Sequence, residues 1–490
     1  MAVTAYIFWL ALAELFFYVS GFIVQSVAGR ILGPAEYGTF GLIITLTILI
    51  ASLIGNGIPI AMSKFLSAEI KNNPKMISVI KRKGALAQFV LMTIVTAIFF
   101  LAAPAIANLL HDPSLTRLLR IGTLIIPCFA ADAFYFYYYT GIHQFNMQSI
   151  LKTLRSFLRV AIIVGLGYFL SLEGFITGYI YVPLVVFLVA MIVDWTIYSR
   201  RFPTSTIAHD FSTKKLLSYA LPITGFLVLY QTMISLNLFV VKSILQNDHL
   251  TGLFNGAFTI AQIPNYLFYA LTIILLPIVS HSAANESRKK TAATVTKALR
   301  MMTLILLPTV ALIISYAKPL MIFFFGGKFA EGASALQFMA FGIGILTLFY
   351  VMSFAFQGAG LVKIPLKIAA IGMILNVTLN VILVKTHGLV GSGMATSITA
   401  IIVTFVLLYN LKKEFDAYLK LTTYLKIITA SIIIFAFSFF LPGQKMLFIV
   451  SGGFLYLLYF TILYFMKEVT KEDFILLKNM LPGKRKNESV

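Results

Sequence analysis

Lys152, Arg155 and Arg159 stand at i, i+3 and i+7 where an apolar run begins, so three cations share one helix face. Lys363 and Lys367, at i and i+4, open a later apolar run in the same manner. Such groups suit an oxyanion: a guanidinium donates through a planar fork, and an ammonium acts as a compact charge. The competing reading is that they snorkel to anionic headgroups at a membrane surface. It weighs most on Lys152, Lys363 and Lys367 and least on Arg155 and Arg159, which lie deepest in their run.

Acidic groups are buried in apolar sequence too. Glu14 lies in AELFFYVSGFIVQSVAGRILGPAEYG, and steps of four, seven and eleven from it reach Tyr18, Gly21 and Gln25 on one face. A carboxylate at the centre of a membrane helix costs roughly 2.5–3.5 kcal/mol unless it is paired or wet. This stripe is therefore expected to face a cavity, with Glu14 taking a coupling proton or cation or else pairing with a basic neighbour. Asp132, Tyr135, Tyr139 and His143 form a second stripe, in which a carboxylate beside phenols could bind sugar hydroxyls or, in the plainer case, pack the helix. Asp132 is the second candidate for ion coupling.

Gln231 and Ser235 share a face, as do Asn376 and Asn380, and these are expected as polar lumen residues or interhelical hydrogen-bonding groups. Arg30 and Lys242 end corresponding apolar runs and are candidates for gating or interfacial anchoring. Pro59 and Pro277 occupy matching places, where each should break the backbone ladder and permit bending.

The elements that must position these residues follow from composition. The 490 residues are 60% hydrophobic and 11% charged, with a mean hydropathy of +0.94. A globular domain is about half apolar and about a quarter charged. The apolar residues fall into fourteen runs between positions 4 and 466, each long enough to cross a hydrocarbon core about 30 Å thick. The predicted class is an all-α polytopic membrane protein. Placing the N-terminus in the cytoplasm leaves only Arg30, Arg117, Arg120, Lys242, Lys318, Lys328, Lys385 and Lys445, of 38 Lys and Arg, on the other side. That bias puts both termini inside and accounts for the net charge of +21 without nucleic acid.

The chain also repeats itself. VAGRILGPAEYGTF aligns with VVKSILQNDHLTGLF, GIPIAMSKF with LLPIVSHSA, YYTGIHQ with AFQGAGL, and EGFITG with HGLVGSG, all at nearly constant spacing. Two six-helix lobes in the same orientation follow, at 1–205 and 206–415, with a cavity between them. Two further helices at 416–470 and a cytoplasmic tail at 471–490 stand outside the duplication.

GRILGPAEYGTFGLIITLTILIASLIGNGIPIAMSKFLSAE and HGLVGSGMATSIT resemble the polysaccharide-biosynthesis flippases of the multidrug/oligosaccharidyl-lipid/polysaccharide exporter superfamily. The likeness runs through both lobes in order. It implies two bundles in a V, alternating access, and a lipid-linked oligosaccharide as cargo in a prokaryotic cytoplasmic membrane. On that reading the basic clusters meet a lipid pyrophosphate, a proton or sodium gradient or the membrane potential drives transport, and a monomer suffices. The resemblance leaves two relatives of the same plan open, a peptidoglycan-precursor lipid flippase and a drug/cation antiporter. The antiporter should have an acidic cavity rather than basic mouths.

No phosphate-binding GxxxxGK[ST] loop is present, the six histidines are scattered, and Cys128 is the single cysteine, so ATP hydrolysis, metal catalysis and a disulfide framework are not expected. No cofactor is expected. A membrane glycosyltransferase would need a large loop with an acidic pair, which the sequence lacks.

Overall fold

The computed structural model describes residues 2–199, 202, 211–285, 288–443 and 446–469. Lys445, the lobe boundary at 205/206 and the 471–490 tail lie outside the described residues. Helices follow in the order α1 Ala2–Asn72, α2 Lys75–Leu109, α3 Leu115–Gly122, α4 Ile125–Gly141, α5 Phe145–Leu158, α6 Gly165–Val193, α7 Thr213–Leu245 and α8 Asp248–Ala261. They continue as α9 Ile263–Asn285, α10 Arg288–Ser315, α11 Ala317–Phe325, α12 Ala333–Gly358, α13 Lys363–Phe415, α14 Leu421–Ser438 and α15 Leu447–Phe465. No strand occurs among the described residues. Lipid offers backbone groups no partner, so each segment closes its own hydrogen bonds.

Ten segments among the described residues are long and apolar enough to span a membrane. Three of them, of 58, 54 and 53 residues, are far longer than the core is thick. Each doubles back at one residue with non-helical backbone: Gly33 in α1, Ser171 in α6 and Gly388 in α13. Counting these twice and joining α8 to α9 accounts for the fourteen apolar runs of the sequence.

The turns give the duplication a geometric form. Positive φ occurs at Gly33 and Gln246, His111 and Gly326, His143 and Gly360, and Ser171 and Gly388. These pairs are separated by 213, 215, 217 and 217 positions, so the two halves turn at equivalent places. Non-glycine residues pay a steric cost at such φ values, and glycine stands at one member of every pair. The end of the molecule with the turns at 143 and 360, where α1 begins, is termed the near end, and the end with the turns at 33, 171 and 388 the far end.

Next to the paired turns at Ser171 and Gly388 the backbones close tightly. A Cβ on Gly174 would lie 2.0 Å from the Leu166 carbonyl oxygen, and one on Gly391 would lie 2.0 Å from that of Leu383. Neither backbone oxygen can yield. Gly391→Ala is expected to cost about 1–3 kcal/mol through overpacking, read as a lower Tm of the purified protein.

One apolar core runs through both halves, with a second cluster at the near end that joins the first half to the start of α7. A third joins α14 and α15 to α10, where Tyr459 donates to the Leu304 carbonyl at 2.9 Å and Glu468 pairs with Arg300 at 3.3 Å and Lys426 at 3.5 Å. Leu15, Phe16, Val19 and Ile23 of α1 are exposed, as expected of a lipid-facing side. Pro59 lies inside α1, where it supplies no backbone N–H to the ladder while the φ/ψ angles stay helical. Pro277 lies in α9 with its side chain outside the described residues.

Candidate functional site

Between the halves lies a cavity of about 1090 Å³, slightly above the usual range for a small-molecule site. Tyr18, Gly21 and Gln25 of the α1 stripe line it, together with Arg155, Arg159, Gln231 and Ser235. It reaches the near end at Gly358, Gly360 and Val362. At the far end the halves are packed shut. A Cβ on Gly252 would lie 1.7 Å from the Pro34 carbonyl oxygen, and one on Gly29 would lie 2.4 Å from the Phe325 ring.

Polar contacts reinforce that seal. Arg30 donates from Nε to the Phe324 carbonyl at 2.9 Å and from Nη2 to that of Phe323, and Ser26 donates to Phe324 at 2.5 Å. These carbonyls end α11, where the helix leaves its last acceptors free and negative. Lys242, 3% exposed, pairs with Asp112 of the other half at 2.9 Å and with Asp248. Both candidate gating cations therefore bridge the halves.

Asp112, in the α2–α3 connection, has a carboxyl whose partial burial alone would raise its pKa. Hydrogen bonds from Ser114 and Lys242 outweigh burial and hold it below the ordinary carboxylate range. A depressed carboxylate stabilises the paired state at neutral pH and loses that contribution as pH falls through its shifted value. Acid is thus expected to loosen the far end, seen as a longer distance between spin labels at the exposed Glu36 and His249. In Asp112→Asn the distance should be long already at neutral pH and insensitive to acid.

Of the charged residues predicted from sequence, Arg155 and Arg159 line the cavity, whereas Glu14, Asp132 and Lys152 lie mostly buried behind that wall, each carboxylate drawn out of the lumen by a cation. Glu14 pairs with Lys152, and Asp132 pairs with Arg155 at 2.7 Å. Arg159 has no carboxylate partner among the described residues. Its Nη2 donates to the Tyr179 hydroxyl at 3.4 Å, and its guanidinium lies 5.1 Å from the Phe17 ring centre and 5.5 Å from that of Tyr179. The Phe17 face also meets Lys152 at 5.3 Å and Arg155 at 5.2 Å, so one quadrupole supports three cations. The Arg159 guanidinium lies directly against Gly21, where a Cβ would stand 2.6 Å from Nη1 and displace it. Helix α5 widens into a π-turn at Arg159–Val164, a distortion common at functional sites. Two carboxylates against three cations leave one positive charge in the wall.

Other expectations need correction. Tyr135 and Tyr139 do not face this cavity. Tyr139 is buried and donates to the Ala190 carbonyl at 2.7 Å, while Tyr135 packs on Phe187 and near Lys81, which pairs with Asp194. The cavity face of α4 is instead Ile125, Phe129 and Tyr137, and Tyr137 donates to Asn56 at 3.2 Å. That i, i+4, i+12 stripe was hard to find because only its last member is polar. Asn376 and Asn380 are fully buried inside the second half, not in the lumen. Asn380 donates to Asn237 at 2.9 Å, Ser392 donates to Asn380 at 2.6 Å, and Asn237 donates to Thr396 at 2.9 Å. Lys363 and Lys367 are exposed at the near end and do not line the cavity. Gln231 and Ser235 line it, joined by a 3.1 Å hydrogen bond. The polar stripe of Gln262, at the break before α9, and Asn265, Tyr266, Tyr269 and Thr272 of α9, which also lines it, was legible in QIPNYLFYALT but not singled out.

Residues 3–283 match the family described as polysaccharide biosynthesis protein, and residues 219–382 match the MatE family. The chain belongs to the polysaccharide biosynthesis protein family. It is 25% identical over 379 residues to the uncharacterized membrane protein YabM of Bacillus subtilis, covering 73% of this chain and 70% of that one. Its fold resembles that of a lipid II flippase, MurJ, in an inward closed conformation, with a TM-score of 0.74, 17% identity, and 92% and 98% of the two chains covered. It also resembles an inward-facing multidrug resistance MATE family transporter of the MOP superfamily, with a TM-score of 0.66, 17% identity, and 82% and 98% covered. The protein is accordingly a multi-pass membrane protein of this family, with a fold shared by a flippase and a multidrug transporter.

Proposed function

We propose that the protein flips a lipid-linked oligosaccharide, joined to its lipid through pyrophosphate, across a prokaryotic cytoplasmic membrane by alternating access. The observation that carries this reading is Arg159, a guanidinium in the cavity wall with no carboxylate partner among the described residues, since Glu14 and Asp132 pair with Lys152 and Arg155. Such a fork suits a phosphate oxygen. An antiporter for cationic drugs would want the opposite excess.

The Lys and Arg bias supports a cytoplasmic near end and cytoplasmic termini. With the far end sealed, this arrangement corresponds to a cavity set to receive cargo from inside. Lys363 and Lys367 at the near-end surface would attract the anionic headgroup before it enters. Each negative charge carried outward from an inside-negative cell gains about 2.3 kcal/mol per 100 mV, so the membrane potential assists. Glu14 and Asp132, on exchanging their basic partners for a proton or sodium, would couple an ion gradient to release. A monomer contains the whole cavity.

Purified protein in liposomes is expected to translocate a fluorescent lipid-pyrophosphate oligosaccharide, measured by quenching of outer-leaflet fluorescence. Transport of a cationic dye instead, with no lipid-pyrophosphate movement across several glycans, would refute the reading. The peptidoglycan-precursor lipid carries the same pyrophosphate and forms the second arm of the assay; exclusive transport of that lipid would replace the oligosaccharide with it.

A further inference from the structure

The two walls of the cavity differ in kind. The charged side chains that line it, Arg155 and Arg159, belong to the first half, as do Glu14, Asp132 and Lys152 packed behind them. Among the described residues, the lining from the second half carries no charged side chain: it offers amides, hydroxyls and tyrosine rings. From these observations we infer a split binding site. The first half takes the anionic linkage, and the second half takes an uncharged glycan, so the protein selects a neutral oligosaccharide over an acidic one. This rests on the pyrophosphate-lipid reading and names the cargo within it.

The second wall is built for polyols. Gln262, Asn265, Tyr266 and Tyr269 lie at i, i+3, i+4 and i+7 from the break between α8 and α9, so all four turn toward the lumen. Tyr230 and Tyr350 stack at 4.5 Å beside them, and Asn265 donates to the Tyr230 hydroxyl at 3.2 Å, which fixes that ring. Tyrosine rings stack on the C–H faces of sugars, while amides and phenols exchange hydrogen bonds with hydroxyls. Gln357 lines the near-end mouth, and its Nε2 has no hydrogen-bond partner among the described residues.

Charge excludes the alternative cargo. A uronic acid on this wall would meet neutral dipoles and no cation of the described residues, because Arg159, the lining guanidinium without a carboxylate there, is across the cavity and engaged by the linkage. An ionised group placed in a low-dielectric site without a counter-charge is disfavoured, whereas a hydroxyl there is satisfied.

The test uses full-length protein in nanodiscs and three ligands on one short polyprenyl chain: bare pyrophosphate, pyrophosphate with a neutral disaccharide, and pyrophosphate with the same disaccharide oxidised to a uronic acid. The neutral glycolipid is expected to bind at least tenfold tighter than either of the others. Gln357→Ala and Tyr266→Phe should bring the ratio of neutral glycolipid to bare pyrophosphate toward one, whereas Arg159→Gln should weaken all three together. Equal or tighter binding of the uronic acid, or a ratio untouched by the second-half variants, would overturn the inference while pyrophosphate binding stands. Failure of all three ligands to bind would remove the pyrophosphate reading itself, and this inference with it.

Discussion

Arg159→Gln is expected to lower flipping of a lipid-pyrophosphate oligosaccharide by roughly 100-fold, the largest effect of any single change on transport. The glutamine keeps a neutral donor, though a shorter one, and removes the only positive charge in the wall that no carboxylate of the described residues answers. Losing one partner of a buried, hydrogen-bonded charge contact costs about 2–5 kcal/mol, and each 1.4 kcal/mol is about tenfold. Arg159→Lys should recover part of the loss, since the charge returns without the fork. Initial rates in liposomes separate these outcomes. A cation exporter would respond in the other direction, gaining from removal of a repulsive charge. Folding is not the expected casualty, because Arg159 makes one long hydrogen bond to Tyr179 and holds no ion pair together.

Glu14→Ala is expected to have the largest effect on stability. Glu14 and Lys152 are both mostly buried, with side-chain exposures of 7% and 13%. Removing the carboxylate strands the ammonium between Phe17 and Phe136, whose ring faces cannot replace a full counter-charge. Breaking a buried pair from one side costs about 3–5 kcal/mol, whereas exchanging both members for apolar groups of similar volume is often near neutral. The double variant Glu14→Leu/Lys152→Met should therefore recover most of the thermal stability that Glu14→Ala loses, as measured by Tm in detergent. If the double variant is stable yet fails to transport, the pair serves transport; if it transports normally, the pair is structural.

Much of the site was legible because membrane helices limit what a residue can do. A charge inside an apolar run must find a partner or water, so Glu14, Asp132, Arg155 and Arg159 were bound to be noticed, and helical spacing placed Tyr18, Gly21 and Gln25 beside them. Periodicity alone could not identify the partners. Lys152 and Arg155 sit three residues apart on α5, and only the packing of α1 and α4 against it gives Glu14 to the first and Asp132 to the second. The aromatic run of α4 misled for a related reason. Tyr135, Tyr137 and Tyr139 are chemically alike, and the Lys81–Asp194 pair draws the face of Tyr135, Tyr138 and Tyr139 into the first half, leaving Tyr137 for the cavity. Asn376 and Asn380 read equally well as lumen or packing residues. Asn237, 143 positions before Asn380, decides for packing.

The sequence by itself determined that the chain crosses the membrane as helices and turns at equivalent places in two halves. Apolar runs of that length have no other way to satisfy their backbone, and turn residues carry their own steric signature. Tertiary structure alone decided the sealed far end, which cations are neutralised, and the charge asymmetry between the walls. Those depend on which side chains distant in the chain meet at a few ångströms, and electrostatic pairing is set by such distances rather than by order along the sequence.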